Sequence, residues 1–173
     1  MDIDTSLWDF SISVYASPDV APSCLALQND YGLDVNVVLF CVWSGLTRGP
    51  LRPANLDAAL ELSLTWAREV VRPLRAVRKW MKPAANLQSG MNGDKVQSLR
   101  NAIKRDELEA ERLQQLALAT IVSSLDPRRA TDRGKQAADD NIGRYLDERG
   151  VAREPRVASL VAIVLDAADA IID

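Results

Sequence analysis

The chain has 173 residues, of which 47% are hydrophobic, and its 21 basic and 24 acidic side chains give a net charge of −3. This length suits one hydrophobic core, so we expect a single helical domain over residues 1–173. The acidic balance argues against a protein adapted throughout to bind nucleic acid. The absence of histidine removes Ser-His and Cys-His nucleophile systems and histidine-ligated metal sites.

Features of targeting and redox chemistry predict a cytoplasmic location. Residues 1–6 contain two aspartates, where a secretory signal needs basic residues and then an apolar run. The longest apolar runs, 35–43 and 157–165, are shorter than the ~20 residues of a membrane span, so no membrane insertion is expected. Cys24 and Cys41 lie in apolar surroundings without CxxC spacing, which indicates free thiols.

Two short helices are predicted at the start of the chain. In the first, Leu7, Phe10 and Val14 recur at helical spacing, and Thr5 or Ser6 supplies an N-cap. The helix should run through Tyr15. The segment 17–19 then breaks this helix and starts a second one, for which Gly32 provides a C-terminal stop.

The apolar run 35–43 has two readings. Four of its nine residues are valine, which is typical of a buried strand. However, Asp34 can cap a helix there, Gly45 can stop it, and no partner strand is evident elsewhere. We therefore predict a helix that is buried on all sides.

Two long helices follow and are expected to pack as an antiparallel pair. The first begins at Asn55, runs to about Met81 and contains Pro73, which should kink it. The second begins at Asp94 and directs an apolar stripe inward. Lys104, Glu107, Glu111 and Gln115 are predicted to face outward, with Glu107 and Glu111 as an ordinary exposed acidic pair.

The rest of the chain predicts connections and two further helices. Residues 84–93 and 125–134 are predicted to be mobile connections, and a polar helix should occupy 135–148. A final helix begins near Pro155, and its broad apolar face belongs either to the core or to a dimer interface.

The fold prediction is an all-α, single-domain bundle of about seven helices. Two long helices lie at its centre, and the first is kinked at Pro73.

Basic residues are concentrated in one segment. Residues 68–105 hold ten basic and two acidic side chains, a net charge of +8, between flanking segments of −6 and −5. Helical spacing places five of the basic residues on one face, and a sixth lies beside them. This basic row consists of Arg68, Arg72, Arg75, Lys79 and Lys82, with Arg78 as the neighbour. It can bind a phosphate, a carboxylate or an acidic protein, or it can simply be a solvated face paired with nearby acids.

No pattern predicts a catalytic residue, a metal or a cofactor. Signatures of phosphate-binding loops, dinucleotide-binding turns and hydrolase nucleophiles are missing. Asp166, Asp169 and Asp173 lack the second acidic cluster that a magnesium-diphosphate site needs. The four tryptophans could line a ligand pocket, but their spacing is more typical of core positions. These are Trp8, Trp43, Trp66 and Trp80.

Several motifs resemble those of a family of short, uncharacterised proteobacterial proteins. They are Leu7-Trp8-x-Phe10-Ser11, Val14-Tyr15, Cys24-Leu25-x-Leu27-Gln28, Gly32-x-Asp34-Val35-Asn36, Leu39-Phe40-Cys41-x-Trp43 and Val71-Arg72-Pro73-Leu74-Arg75-x-x-Arg78. The resemblance implies a small cytoplasmic bacterial protein and carries no activity, substrate or cofactor. It singles out five polar positions, namely Asp34, Asn36, Arg72, Arg75 and Arg78.

Two functions are consistent with the sequence. The preferred hypothesis is a helical interaction or adaptor protein whose basic row binds an acidic protein or an anionic ligand, with the choice between monomer and homodimer left open. The alternative is a small enzyme or binding protein for a phosphate- or carboxylate-bearing organic anion, with the same arginines clamping the ligand inside a pocket. A nucleic-acid accessory role is less favoured, because no known nucleic-acid-binding motif accompanies the basic row.

Overall fold

The computed structural model describes residues 5–82, 90–125 and 133–172, and these residues contain helices and no strand. The helices are α1 Leu7–Tyr15, α2 Val20–Tyr31, α3 Val35–Thr47, α4 Pro53–Trp66, a π-helical turn Ala67–Val71, α5 Arg72–Trp80, α6 Gly93–Ile121, α7 Gly134–Glu148 and α8 Pro155–Ile172. If α4, the π-helical turn and α5 are counted as one rod, the described part has seven helices. The all-α prediction is confirmed. Most of the two predicted connections lies outside the described residues.

Helix α3 forms the centre of the core. Twelve of its 13 residues are buried, and α7, α6, α8, α1, α2 and α4 all pack around it. Its N-cap is Asp34, whose Oδ1 accepts a hydrogen bond from the Asn36 amide at 2.9 Å. The helical reading of this apolar run is confirmed, and the strand alternative is wrong.

The closest helix contact in the core joins α3 to α7. A Cβ atom added to Gly45 would lie 2.2 Å from the Cα of Ala138, so the two backbones nearly touch. Gly45 was predicted to end α3, but the helix continues to Thr47. The prediction was wrong because glycine here provides space for a neighbouring helix, a requirement that local sequence does not reveal.

Helix α7 also holds the loop after α3 in place. Asn141 is fully buried, and its Oδ1 accepts a hydrogen bond from the Leu51 amide at 2.8 Å. The side-chain amide of Asn141 donates to the Cys41 carbonyl at 3.2 Å. Arg144 donates to the Leu51 carbonyl at 2.7 Å. These bonds satisfy the backbone of a loop that would otherwise place unpaired polar groups against the core.

The rod from α4 to α5 runs antiparallel to α6, as predicted. Asn55 donates a side-chain hydrogen bond to the Ile121 carbonyl at 3.0 Å, and Trp66 donates to the Ala110 carbonyl at 2.9 Å. Residue numbers therefore fall along α6 as they rise along the rod. The rod is interrupted by the π-helical turn directly before Pro73, where the proline cannot donate a backbone hydrogen bond.

Helix α8 belongs to the core. Its buried face packs chiefly against α2, with further contacts to α1, α3 and α7. That face consists of Val157, Val161, Val164, Leu165 and Ala168. Of the two alternatives for this apolar face, the core position is the one observed. In the part of the chain that is described, no helix combines the length and the hydropathy that crossing a bilayer requires.

Helix α5 and the first half of α6 extend away from this core. No residue of α5 is buried, and residues 93–106 of α6 are exposed or only partly buried. We call these two segments the arm. A cleft is formed where the arm leaves the bundle.

Candidate functional site

The cleft has a volume of about 850 Å³ and lies between α1, α2, the start of α3, the π-helical turn with α5, and α6. One wall is apolar, and several of its side chains are about half exposed, among them Ile12, Leu25 and Leu108. Trp8 and Tyr15 extend this wall. Small-molecule sites in proteins are commonly concave and largely apolar with a few polar groups, and this cleft has that composition.

Arg75 is the centre of the charged wall. Its Nε donates to Glu107 Oε1 at 2.8 Å, its Nη1 to Gln28 Oε1 at 2.6 Å and its Nη2 to Glu111 Oε1 at 2.5 Å. Arg78 is paired with both carboxylate oxygens of Glu107. Two of the guanidinium groups on α5, those of Arg75 and Arg78, are therefore bound to acids on α6.

The prediction that Glu107 and Glu111 face outward as an exposed pair is wrong. Glu107 is only 5% exposed, and Glu111 is partly buried and lines the cleft. The reason lies in α5, which presents arginines to this part of α6. The inward face of α6 is therefore polar for about one turn. The prediction had identified that face by its apolar side chains, and so it assigned the glutamates to the opposite face.

The two glutamates have opposite pKa shifts although they lie one helical turn apart. Burial by itself would raise the pKa of Glu107, but hydrogen bonds from Arg78 and Arg75 outweigh burial and lower it. Burial raises the pKa of Glu111, and the nearby charge of Glu107 adds to this, against the opposing effect of Arg75. The cleft therefore contains one strongly ionised carboxylate and one that protonates more readily than usual.

A chain of side-chain amides borders the same cleft. Asp34 Oδ2 accepts from Gln114 Nε2 at 2.8 Å, and Gln114 Oε1 accepts from Asn36 Nδ2 at 2.8 Å. Asn36 Oδ1 then accepts from Gln115 Nε2 at 2.8 Å. We call these four residues the amide relay. Burial raises the pKa of Asp34, although hydrogen bonds from Gln114 and from the Asn36 backbone oppose this.

The basic row is not a single unneutralised face. Arg72, Arg75, Arg78 and Lys79 line the cleft, whereas Arg68 and Lys82 do not. Arg68 is paired at the surface with Glu69, at 2.5 Å. Within the described residues, no acidic side chain forms an ion pair with Arg72 or Lys79.

Two physical reasons explain this departure from the predicted row. The π-helical turn contains Arg68 and changes the angular register between it and Arg72. In addition, α6 supplies carboxylates to Arg75 and Arg78. Helical spacing on one segment accounts for neither effect.

The secondary candidates Asp34 and Asn36 both lie in the cleft wall. Gln28 and Gln114 were not predicted, and the prediction that Gln115 faces outward is wrong, since it is 3% exposed; all three complete the polar network. Local sequence did not indicate the last two, because Gln114 and Gln115 are buried whereas the flanking Leu113 and Leu116 are 45% and 40% exposed, the reverse of what polarity suggests.

The tryptophans do not share one role. Only Trp43 is a buried core residue, at 4% exposure, and Trp80 is 59% exposed. Trp66 is partly buried, and Trp8 lines the cleft. The expectation of four core tryptophans is therefore wrong for three of them, since helical spacing does not show whether a neighbouring helix covers a given face.

The acidic residues near the C-terminus are occupied by a cation of the chain. Asp166 and Asp169 both contact the Lys135 ammonium, at 2.8 and 3.3 Å. Across the described ranges, no group of three or more potential metal ligands is found. The position of Asp173 lies outside these ranges.

The fold and the cleft together define a single-domain helical bundle with an amphipathic cleft and an internal Arg–Glu network. The chain belongs to the family described as protein of unknown function (DUF2390), whose model matches residues 6–118. That match includes every residue that lines the cleft. No curated protein and no solved structure matches the chain significantly.

Proposed function

We propose that the cleft binds a small organic anion that also carries an apolar group. The observation behind this proposal is the composition of one concave site of about 850 Å³, whose walls combine half-exposed apolar side chains with four basic residues. Ligand sites of small molecules commonly have this size, a largely apolar lining and a few charged groups. The proposal concerns binding and assigns no catalytic residue.

The anionic group is expected to contact Arg72 and Lys79. Arg75 already donates to Gln28, Glu107 and Glu111, so it has little capacity left for a ligand. Arg72 and Lys79 line the cleft as exposed cations, and a carboxylate or phosphate between them would form charge-assisted hydrogen bonds. Arg75 and Arg78 then serve to shape the charged wall.

The geometry favours this reading over docking of an acidic protein on the basic row. Such docking needs an open face, but two members of the row are occupied by carboxylates of α6 and a third by Glu69. Of the cations that are left, Arg72 and Lys79 border a concave site. An acidic protein partner thus becomes the competing outcome of the experiment below.

The test compares anionic and neutral probes by thermal shift and calorimetry. Phenyl phosphate and 3-phenylpropionate should bind and stabilise the protein, whereas benzyl alcohol should not. Arg72→Gln and Lys79→Gln should each weaken binding by about tenfold, because each removes one charge-assisted hydrogen bond.

The chain offers matched controls in the two members of the basic row outside the cleft. Arg68→Gln and Lys82→Gln remove the same unit of charge and should leave the affinity for both anions unchanged. Equal weakening by all four substitutions would indicate a diffuse electrostatic surface and would contradict the proposal. Absence of binding by both anions would contradict it as well.

The cellular setting is part of the same proposal. Cys24 and Cys41 are free and buried, which suits a reducing compartment such as the cytoplasm. A bacterial origin is supported by the N-terminal motifs of the resemblance. Homodimerisation is supported by exposed apolar side chains on the arm, including Val77 and Leu99, and sedimentation of the wild type and Val77→Glu would test it.

A further inference from the structure

The amide relay has a fixed hydrogen-bond direction. Asp34 Oδ1 accepts from the Asn36 backbone amide and Asp34 Oδ2 accepts from Gln114 Nε2, so the Asp34 side chain acts as an acceptor at both oxygens. Gln114 must then present its oxygen to Asn36, and Asn36 must present its oxygen to Gln115. Each amide is thereby oriented by the one before it, starting from the acceptor oxygens of Asp34.

The last member of the relay ends in an acceptor that is not used inside the protein. Gln115 donates through Nε2 to Asn36, and its Oε1 is the unused end of the relay. Gln115 lines the cleft and is 3% exposed. Its Oε1 is buried and has no hydrogen-bond partner among the residues that the structure describes. A buried acceptor without a partner is costly, and native proteins rarely keep one without a reason.

From the cleft and the relay together, we infer that the amide relay recognises a hydrogen-bond donor group on the ligand. The organic anion bound in the cleft carries an N–H or O–H group, and Gln115 Oε1 accepts its hydrogen. This inference rests on the proposed function and narrows it from apolar anions in general to donor-bearing ones, such as N-acyl amino acids or hydroxy acids. Gln115 is the specificity residue, and Asp34 is the positioning residue that sets its orientation.

A single substitution should reverse the relay. In Asp34→Asn, the new amide retains an oxygen for the Asn36 backbone and offers a nitrogen to Gln114. Gln114 and Asn36 then turn over in succession, so that Gln115 presents Nε2 instead of Oε1 to the cleft. Asparagine is as good an N-cap as aspartate, so α3 should be preserved.

The experiment uses two probes that differ in one atom. N-acetyl-L-phenylalanine has an amide N–H, and the O-acetyl ester of L-3-phenyllactate has an ester oxygen in its place, with the same carboxylate and ring. Calorimetry on the wild type should give about tenfold tighter binding of the amide, the effect of one hydrogen bond to a buried acceptor. In Asp34→Asn this preference should be lost or inverted, because an N–H would meet an N–H.

Gln115→Met provides the second variant, since it keeps the length of the side chain and removes the acceptor. It should bind both probes with similar affinity. If Asp34 or Gln115 had a purely structural role, its substitution would weaken binding of the two probes equally and leave the ratio of their affinities as in the wild type. The ratio of the two affinities is therefore the readout. Circular dichroism confirms that each variant remains helical.

Each outcome separates this inference from the proposed function. If the wild type binds both probes equally, or binds phenyl phosphate and 3-phenylpropionate but neither acetyl probe, the inference is overturned and anion binding stands. In that case a buried water satisfies Gln115 Oε1. If no anion binds at all, both fail. An unchanged preference for the amide probe in Asp34→Asn and in Gln115→Met would also overturn the inference about the relay, and anion binding would still stand.

Discussion

Two helix contacts in this protein are built in different ways. Helices α3 and α7 meet in the middle of the core, where Gly45 and Ala138 bring the two backbones together. Helices α5 and α6 meet in the arm through Arg75, Arg78, Glu107 and Glu111, and no residue of α5 is buried. The α3–α7 contact depends on the small volume of its side chains, and we call it the volume-limited contact. The α5–α6 contact depends on pairing of opposite charges, and we call it the charge-limited contact. The two should therefore respond to different substitutions.

The comparison also explains where a cleft can exist. A close-packed interface such as α3–α7 leaves no room between helices. Long arginine and glutamate side chains join α5 to α6 through their ends, and the same side chains form part of the cleft wall. Partly buried ion pairs add little net stability compared with apolar packing, but they specify geometry well. The arm thus forms one side of a binding site without closing it.

The largest effect is expected at the volume-limited contact. Gly45→Ala should lower the free energy of unfolding by about 3 kcal/mol or more, because the new methyl group would overlap the backbone of α7 and neither helix can yield easily. Urea denaturation of the variant and the wild type measures this difference.

Gly143 provides the matched control on α7. A Cβ there would meet only a side-chain atom of Arg153, at 3.8 Å. Gly143→Ala should therefore stabilise the protein by roughly 0.5–1 kcal/mol through the higher helix propensity of alanine. Equal losses in the two variants would show that glycine itself, and not the contact with Ala138, matters.

A smaller loss is expected at the charge-limited contact. Glu107→Gln retains the shape of the side chain but leaves Arg75 and Arg78, whose side chains are 20% and 22% exposed, without their shared carboxylate. Removing one partner of a fully buried pair costs about 3–5 kcal/mol, and partial exposure reduces this to about 2 kcal/mol. Glu109→Gln, which affects an exposed pair with Arg112, should leave the free energy of unfolding almost unchanged, because solvent screens that pair. A loss in Glu107→Gln as small as that of the control would contradict a structural role for the network.

The same contrast explains what could be predicted from the sequence. Apolar periodicity and capping residues indicated the helices and the buried α3, because these features depend on local spacing and on burial of one face. The role of Gly45 and the pairing of Arg75 with Glu107 depend on which helix is the neighbour, and the sequence contains no local sign of that. The cleft was likewise predicted only in part, since Arg72, Asp34 and Asn36 were identified and Gln115 was not.

The smallest effect, and the sharpest test of the charge-limited contact, is its dependence on pH. Glu107 has a lowered pKa, so its contribution to stability is present above the ordinary value of 4.5 and is lost as the pH falls through the lower folded-state pKa. Glu111 has a raised pKa and faces Arg75, Glu107 and Asp34. Its folded form binds a proton more readily than the unfolded chain does. Stability therefore falls as the pH rises from 4.5 through the folded-state pKa.

Two isosteric variants separate these opposite slopes. The loss in free energy of unfolding of Glu107→Gln relative to the wild type should grow as the pH rises just below 4.5. The corresponding loss for Glu111→Gln should shrink as the pH rises just above 4.5. Urea denaturation at a series of pH values from acidic to neutral measures both. Parallel pH profiles for the two variants would mean that the glutamates share one environment. The arm would then be held by a diffuse acidic face, and the directed pairing of Glu107 with Arg75 and Arg78 would have no role in its stability.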